Sequence, residues 1–231
     1  MPVAIAHRGD PYAFRENTLP AFTTAARAGA DMIEIDLRRT SDGAVVCLHD
    51  RTLERLWGDP RTCAELTLAD VRASGTERCR IPELSETLAA VSHPLMVDYV
   101  DEEVVEPALA AIRNAGALPR VLFSGGNVAG HRLIRSLAPE ARIALTWEER
   151  EPPPDALLDE LAVEYLNPPW EILDRRTVDA MHERGTLVST WTVDRRETIE
   201  SMLDLGVDAV ITNRIALAVE LLGGQTERAA C

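Results

Sequence analysis

Three short segments near the N-terminus carry side chains suited to holding a phosphate and moving protons around a breaking P–O bond. They are His7-Arg8-Gly9, Glu34-Ile35-Asp36 and His49-Asp50. Together they supply two imidazoles, one guanidinium and at least two carboxylates, each at or near the end of an apolar run. Imidazoles exchange protons near neutral pH, a guanidinium binds phosphate, and carboxylates bind hard divalent cations. This combination of residue types predicts proton transfer at a breaking P–O bond, assisted by a metal ion.

The carboxylates of the second segment fall on one face of a predicted strand. In Asp31–Leu37 the residues alternate, so that Glu34 and Asp36 point one way and the aliphatic residues between them point the other way. Two carboxylates side by side on a sheet face repel each other unless a cation lies between them. The alternation therefore predicts that Glu34 and Asp36 bind a divalent cation.

A hairpin is expected directly after this strand. Asp42-Gly43 lies between apolar runs, which indicates a two-residue type I′ turn. Such a turn pairs Ser41 with Ala44 and, counted outward, places Asp36 opposite His49. Directly opposed residues share a face, so His49 is expected beside the carboxylate pair.

Strand and helix patterns alternate along the rest of the chain. Strands are predicted at Val3–His7, Met32–Leu37, Ala44–His49, Leu95–Val100, Arg120–Ser124, Arg142–Thr146, Val163–Leu166, Leu187–Trp191 and Ala209–Thr212. Helices are predicted at Thr18–Ala28, Leu84–Val91, Glu102–Ala115, Val128–Leu137, Asp155–Leu161, Glu171–Arg184, Arg196–Leu205 and Ile215–Leu222. With Ala44–His49 as the return arm of the hairpin, eight strands separated by helices remain, which predicts an α/β fold of the (β/α)8 TIM barrel type. A doubly wound sheet is the alternative, and the absence of GxGxxG after the first strand disfavours it.

Length and composition are those of one globular domain spanning 1–231. The segment 50–80 has one short helical pattern, at Leu68–Ala73, and no predicted strand, so it is interpreted as a small insertion over the barrel mouth. The formal net charge of −14 argues against a nucleic-acid partner. No apolar run is long enough to predict membrane insertion and no secretion signal is visible, so a cytoplasmic protein with free thiols is expected.

The ordered motifs resemble the glycerophosphodiester phosphodiesterase family over nearly the whole chain. The matching segments are His7-Arg8-Gly9, Glu16-Asn17-Thr18-Leu19, Gly29–Leu37, Asp42-Gly43, His49-Asp50, Ile81–Leu84, Phe123-Ser124, Trp191–Val193 and Gly206–Thr212. The resemblance implies a barrel enzyme that hydrolyses glycerophosphodiesters, small-molecule substrates, to an alcohol and glycerol 3-phosphate.

The resemblance also implies roles for particular residues. His7 and His49 would be the catalytic acid/base pair, with His7 favoured as acid and His49 as base. A divalent cation, Mg²⁺ or Ca²⁺, would be bound by Glu34, Asp36 and Asp98. The substrate would be bound by Arg8 at the phosphate and by Trp191 and Phe123 as apolar walls.

Two departures from the family pattern keep other functions open. Val100 stands where the family usually has a lysine that contacts phosphate, and Asn213 stands where an aspartate is common. A lysophospholipase D- or sphingomyelinase D-like lipid phosphodiesterase is one alternative, although the 50–80 insertion is largely polar apart from Leu56 and Trp57. A non-catalytic or weakly active phosphodiester-binding relative is another, and an unrelated barrel enzyme of sugar metabolism is a third. Native metal, headgroup preference and oligomeric state are not predicted.

Overall fold

The protein is described here by a computed structural model that covers residues 2–77 and 79–229, without the side chains of 224–229. Eleven strands are present: β1 (Val3–Ala6), β2 (Met32–Arg39), β3 (Val45–Cys47), β4 (Thr52–Leu53), β5 (Asp59–Thr62), β6 (Leu95–Tyr99), β7 (Val121–Gly125), β8 (Arg142–Thr146), β9 (Tyr165–Asn167), β10 (Leu187–Thr190) and β11 (Ala209–Thr212). The α-helices are α1 (Leu19–Arg27), α2 (Glu54–Trp57), α3 (Leu68–Ala73), α4 (Leu84–Ala90), α5 (Val105–Asn114), α6 (Val128–Leu137), α7 (Asp155–Leu161), α8 (Arg175–Glu183), α9 (Arg196–Leu205) and α10 (Ile215–Ala229).

Eight parallel strands close into a barrel in the order β1-β11-β10-β9-β8-β7-β6-β2, because β2 also pairs with β1. Closure confirms the predicted TIM barrel and excludes the doubly wound sheet. In such a barrel the carboxyl ends of the strands converge on one mouth, where loops carry the functional groups.

The core has two layers on opposite faces of the sheet. An inner cluster fills the barrel and is formed by Ile5, Met32, Met96, Leu122, Ala144, Tyr165, Ala209 and Ile211. An outer cluster, to which Ile33, Ile35 and Val97 belong, packs between the strands and the helices. The alternation along β2 therefore places Glu34 and Asp36 on the inner face, as the sequence predicts.

The predicted register of the β2–β3 hairpin is wrong by one residue. Leu37 pairs with Cys47 and Thr40 faces Ala44, which leaves a three-residue loop closed by Gly43 with φ of 88°. Asp42 does not adopt the positive φ of a type I′ turn. Its carboxylate instead accepts hydrogen bonds from the Thr40 hydroxyl and the Leu68 amide at the start of α3. In this register Asp36 faces Leu48 rather than His49.

The 50–80 segment contains more structure than the sequence indicates. The strands β4 and β5 form a small antiparallel pair, so the prediction that this segment has no strand is wrong. The segment packs on β3 through a separate apolar cluster of Val46, Leu48, Leu53, Cys63, Leu66, Val71 and Ile81. The helix α3 coincides with the predicted helical pattern.

No helix in the described part of the chain is both long enough and apolar enough to cross a membrane.

Candidate active site

A cavity of about 360 Å³ opens at the mouth of the barrel. The chemically capable side chains that line it are those of His7, Arg8, Glu34, Asp36, His49, Asp98, Ser124, Asn127, Thr146, Glu148, Asn167, Trp191 and Thr192. The volume lies in the range of small-molecule sites, roughly 300–1,000 Å³. Asp36 and His49 line this cavity together, although the register that was expected to bring them together is wrong.

Three carboxylates form one wall of the cavity. Asp36 on β2 pairs in register with Asp98 on β6, and Glu34 lies one inward-facing position earlier on β2. Burial and the charge of Asp36 raise the pKa of Asp98 to about 7. The same two causes hold the pKa of the Glu34 carboxyl well above its ordinary value. The wall thus concentrates negative charge that the protein itself does not fully balance.

The loop that follows β1 donates hydrogen bonds to two of these carboxylates. Arg8 and Asn17 are two of the three described non-glycine residues with positive φ, at 57° and 54°. The Arg8 amide donates to Glu34 Oε2 at 2.8 Å, and Asn17 Nδ2 donates to Asp36 Oδ2 at 2.7 Å. Gly9 follows, where an added Cβ would lie 2.7 Å from the Ala21 carbonyl carbon. Strained backbone of this kind is typical of functional sites.

The Arg8 guanidinium lies between two acidic groups. Its Nη1 donates to Glu16 Oε1 at 2.9 Å, and its Nε lies 3.1 Å from Asp36 Oδ2. These ion pairs fix the plane of the guanidinium at the cavity wall. A guanidinium fixed in this way is prepared to bind a phosphate oxygen.

His7 at the end of β1 is held by an amide. Its Nδ1 lies 2.8 Å from Asn213 Oδ1, and Asn213 Nδ2 in turn donates to Asp194 Oδ2 at 2.8 Å. Because the amide oxygen faces the ring, Nδ1 is assigned the proton and Nε2 the lone pair. Burial, followed by the charge of Arg8, lowers the pKa of His7 below its ordinary value.

His49 is held by a carboxylate and belongs to a chain of charges. Its Nδ1 donates to Asp50 Oδ1 at 2.7 Å, and Arg55 of α2 binds both Asp50, at 2.6 Å, and Glu16, also at 2.6 Å. Since Glu16 also binds Arg8, the chain of ion pairs connects His49 to the Arg8 guanidinium. The bond to Arg55 and burial are the leading, opposing influences on Asp50, and the net effect lowers its pKa to about 2.

The predicted substrate walls are only partly present. Trp191 lines the cavity, and its Nε1 donates to the Asn167 carbonyl at 3.1 Å. Val100 lines the cavity with 62% of its surface exposed, as expected of a residue two positions beyond Asp98. The prediction for Phe123 is wrong: it lies on the outer face of β7 in the core, and its neighbour Ser124 faces the cavity.

Two further polar side chains near the site have buried hydrogen bonds. His131 is fully buried, between the Tyr99 hydroxyl at 2.9 Å and the Gly125 carbonyl at 2.8 Å. Asn17 binds Asp36, and the N-cap of α1 is Thr18. Among the described cysteines, Cys47, Cys63 and Cys79 are free thiols, and Cys231 lies outside the described residues.

Several residues of the site are not predicted from the sequence. Asn127, Thr146, Glu148 and Asn167 line the cavity, and Arg55 completes the charge chain. Thr146 and Asn167 end predicted or neighbouring strands, and this position is the one signal that points to them. Glu148 lies on an irregular loop, and Arg55 lies in the four-residue helix α2, which is too short to show a periodic pattern.

The carboxylate wall fits a hard divalent cation. In the described part of the chain, no group of three or more His, Cys, Asp or Glu side chains lies in a preassembled metal-binding arrangement. Nevertheless, Glu34, Asp36 and Asp98 supply oxygen donors only, which Mg²⁺ and Ca²⁺ prefer. In Glu34 and Asp36 a single oxygen, Oε2 and Oδ2, accepts the protein hydrogen bonds. Burial and the charge of Asp36 raise the pKa of Asp98, and a cation bound beside the carboxylates would lower it.

Comparison with known proteins identifies the family of the chain. Residues 7–217 match the glycerophosphoryl diester phosphodiesterase family. A glycerophosphodiester phosphodiesterase of Caldanaerobacter subterraneus subsp. tengcongensis is 28% identical over 91% of this chain and 93% of its own length. Probable glycerophosphodiester phosphodiesterase 2 of Mycobacterium tuberculosis is 29% identical over 95% of this chain and 90% of its own length. The fold is similar to that of an Oleispira antarctica phosphodiesterase solved with the product sn-glycerol-3-phosphate. The TM-score is 0.90 at 22% sequence identity, and the match covers 96% of this chain and 97% of the other.

Proposed function

Since the chain belongs to the glycerophosphoryl diester phosphodiesterase family, we propose that it hydrolyses glycerophosphodiesters to glycerol 3-phosphate and an alcohol with the help of a divalent cation. The family is one of phosphoric diester hydrolases, so the chain is an enzyme of that class. One observation carries the proposal: His7, His49, Arg8 and three carboxylates line a single cavity at the barrel mouth. The test is enzymatic release of glycerol 3-phosphate from a panel of glycerophosphodiesters, with and without Mg²⁺ or Ca²⁺.

The surroundings of the two imidazoles favour His7 as the base and His49 as the acid, the reverse of the assignment expected from the sequence. His7 is kept neutral by burial and by Arg8, with Nε2 free to take a proton from the attacking water or hydroxyl. His49 donates from Nδ1 to the Asp50 carboxylate, which fixes the ring so that Nε2 could transfer a proton to the leaving alkoxide. The two rings would thus transfer protons on opposite sides of the phosphorus.

Arg8 would share the negative charge of the phosphate as the P–O bond breaks. Its ion pairs with Glu16 and Asp36 hold it in place, so no reorganisation is needed at the moment of reaction. A divalent cation bound by Glu34, Asp36 and Asp98 would neutralise a nonbridging phosphate oxygen.

Metal binding should change the pH dependence of stability. The pKa of Asp98 is about 7 in the fold and ordinarily 3.8, so its protonated form stabilises the metal-free protein below about pH 4. That contribution is lost as the pH rises to about 7, because the folded carboxyl then also loses its proton. We therefore expect Mg²⁺ to raise the melting temperature more at about pH 8 than at about pH 5. Scanning fluorimetry at both pH values measures this, and an equal shift at both, or an unchanged difference in Asp98→Asn, would contradict it.

Val100→Lys should increase activity. A lysine at this exposed position would add a positive charge to a cavity wall whose guanidinium is already paired with two carboxylates. We expect kcat/KM to rise by about tenfold on glycerophosphocholine and on glycerophosphoethanolamine alike, since the charge would act on the phosphate. Steady-state kinetics of both substrates measures this, and Val100→Met controls for side-chain length. No gain in a variant that melts like the wild type would mean that the phosphate lies away from β6.

A lipid phosphodiesterase is the second candidate, because exposed aromatic residues lie on the loop after Arg8. Tyr12 is 73% and Phe14 is 47% exposed, and the Arg15 guanidinium lies 4.3 Å from the centre of the Trp57 ring. Such side chains are suited to contact with an acyl chain. Assay of lysophosphatidylcholine beside glycerophosphocholine distinguishes the two functions, since a lipid enzyme should prefer the acylated substrate. A cytoplasmic location and the lack of a nucleic-acid partner stay predictions from the sequence.

A further inference from the structure

We propose that Tyr99 and His131 form a positioning pair for the carboxylate wall. The pair holds the carboxyl end of β6, and with it Asp98, in the place that cation binding requires. The inference rests on the proposed function, and it adds two residues, hydrogen-bonded to each other between the sheet and α6, that set the affinity for the cation.

The position of Asp98 depends on the backbone of its own strand. Glu34 and Asp36 accept hydrogen bonds from the loop that follows β1. The Asp98 carboxylate instead accepts from the backbone amide of Tyr99, and no side chain in the described part of the chain donates to it. A displacement of the β6 end would therefore move Asp98 relative to the rest of the wall.

Side-chain hydrogen bonds connect β6 to β7 beyond the point where the two strands stop pairing. The last pair in register is Asp98 with Ser124. Beyond it, the Tyr99 hydroxyl lies 2.9 Å from His131 Nδ1, and His131 Nε2 lies 2.8 Å from the carbonyl oxygen of Gly125, the last residue of β7. His131 thus bridges the ends of both strands from the start of α6.

The donors and acceptors of this bridge follow from its partners. A carbonyl oxygen can only accept, so His131 Nε2 carries the proton and Nδ1 accepts from the Tyr99 hydroxyl. Burial lowers the pKa of His131 to about 4, so the ring stays neutral at neutral pH and keeps this arrangement. Both ring nitrogens are used inside the fold, which leaves His131 with a structural partner on each side.

Close packing couples the Tyr99 ring to α6. The two rings meet edge to face with their centroids 5.5 Å apart, and a Cβ on Gly130 would lie 2.6 Å from Tyr99 Cε2. The next residue is held as well, because the Val100 carbonyl accepts from Asn127 Nδ2 at 2.9 Å. Removal of the Tyr99 hydroxyl would leave the buried His131 Nδ1 without a donor, and the β6 end would rearrange against α6 to satisfy it.

The test is calorimetric titration of the metal-free protein with Mg²⁺ alone. Groups that hold metal ligands in place typically contribute about tenfold or more to metal affinity. We expect Tyr99→Phe, which removes only the hydroxyl, to raise the Kd for Mg²⁺ by about tenfold. His131→Leu should raise the Kd by a similar factor, and the double variant should raise it no further, because both substitutions break the same hydrogen bond.

Thr87→Val is the matched control. Thr87 is also fully buried, and its hydroxyl lies 3.3 Å from the Sγ of Cys47 on β3, a strand that carries no member of the carboxylate wall. We expect this variant to lower the melting temperature about as much as Tyr99→Phe does, since each loses one buried side-chain hydrogen bond. Its Kd for Mg²⁺ should stay within about twofold of the wild-type value.

The outcomes separate this inference from the proposed function. An unchanged Kd in Tyr99→Phe, an equal rise in Thr87→Val, or fully additive losses in the double variant would overturn the positioning pair and leave the hydrolase intact. A wild type that binds neither Mg²⁺ nor Ca²⁺ would overturn the metal-assisted function, and the inference with it. A weakened affinity that is confined to the Tyr99 and His131 variants, and is no greater in their combination, supports both.

Discussion

Removal of divalent cations should lower the release of glycerol 3-phosphate by at least about 10³-fold, because a bound cation supplies several kcal/mol of stabilisation to the charge on phosphorus. The physical reason lies in the wall of Glu34, Asp36 and Asp98, where burial and mutual repulsion raise the pKa of Asp98 to about 7. The measurement is activity after chelation and gel filtration, followed by titration with Mg²⁺ and Ca²⁺. Full activity in the chelated sample would refute the metal assignment.

Isosteric variants of the carboxylates test whether the cation binds at this wall. Asp36→Asn and Asp98→Asn should each shift the Mg²⁺ titration to higher concentration, whereas Glu102→Gln, an exposed carboxylate beyond β6, should not. Tryptophan fluorescence or calorimetric titration of the metal alone measures the same shift without reference to turnover. Unchanged metal affinity in both wall variants would place the cation elsewhere.

His7→Ala and His49→Ala should each lower kcat by at least about 10²-fold, the scale of a positioned proton transfer. The combined variant should lose less than the product of the two single losses, because both rings act on one transition state. His182→Ala is the matched control: this histidine is exposed, and its Nε2 binds Asp208 at 2.8 Å.

The pH profile distinguishes the two roles. If His7 is the base, its low pKa sets the acidic limb of kcat/KM, and His7→Ala should abolish that limb. Near wild-type turnover in either alanine variant, with an unchanged melting temperature, would remove that residue from the mechanism.

The barrel and its carboxylate wall were predictable because they depend on short-range periodicity. Alternation along β2 fixes which side chains face inward, and the count of eight strands follows from apolar runs separated by helical patterns. The ends of strands also indicate where functional groups converge, which accounts for His7, Asp98 and Trp191.

The incorrect predictions concern places where a difference of one residue changes which side chain faces the cavity. One residue more or less in the turn shifts the register of a hairpin and changes which residues face each other. The Asp42 carboxylate in this turn accepts a hydrogen bond from Leu68, which is 26 residues away in the chain and is not indicated by the local sequence. Phe123 and Ser124 are neighbours at a strand end, and the β7 register decides which of them faces inward. Asn17 donates to Asp36, which is 19 residues away in the chain, so no local pattern indicates this contact.

The chain of ion pairs from His49 through Asp50, Arg55 and Glu16 to Arg8 limits how this enzyme can be altered. Arg55 belongs to the inserted segment, while Glu16 and Arg8 belong to the first loop of the barrel. The segment is therefore not an exchangeable module: a graft that replaces it must bring its own cation to the position of Arg55. Without that cation, Asp50 and Glu16 would each lose an ion pair, and His49 and Arg8 would no longer be connected. Shortening or recombining barrels of this kind should accordingly preserve His49 and the four other members of this chain of ion pairs as one unit.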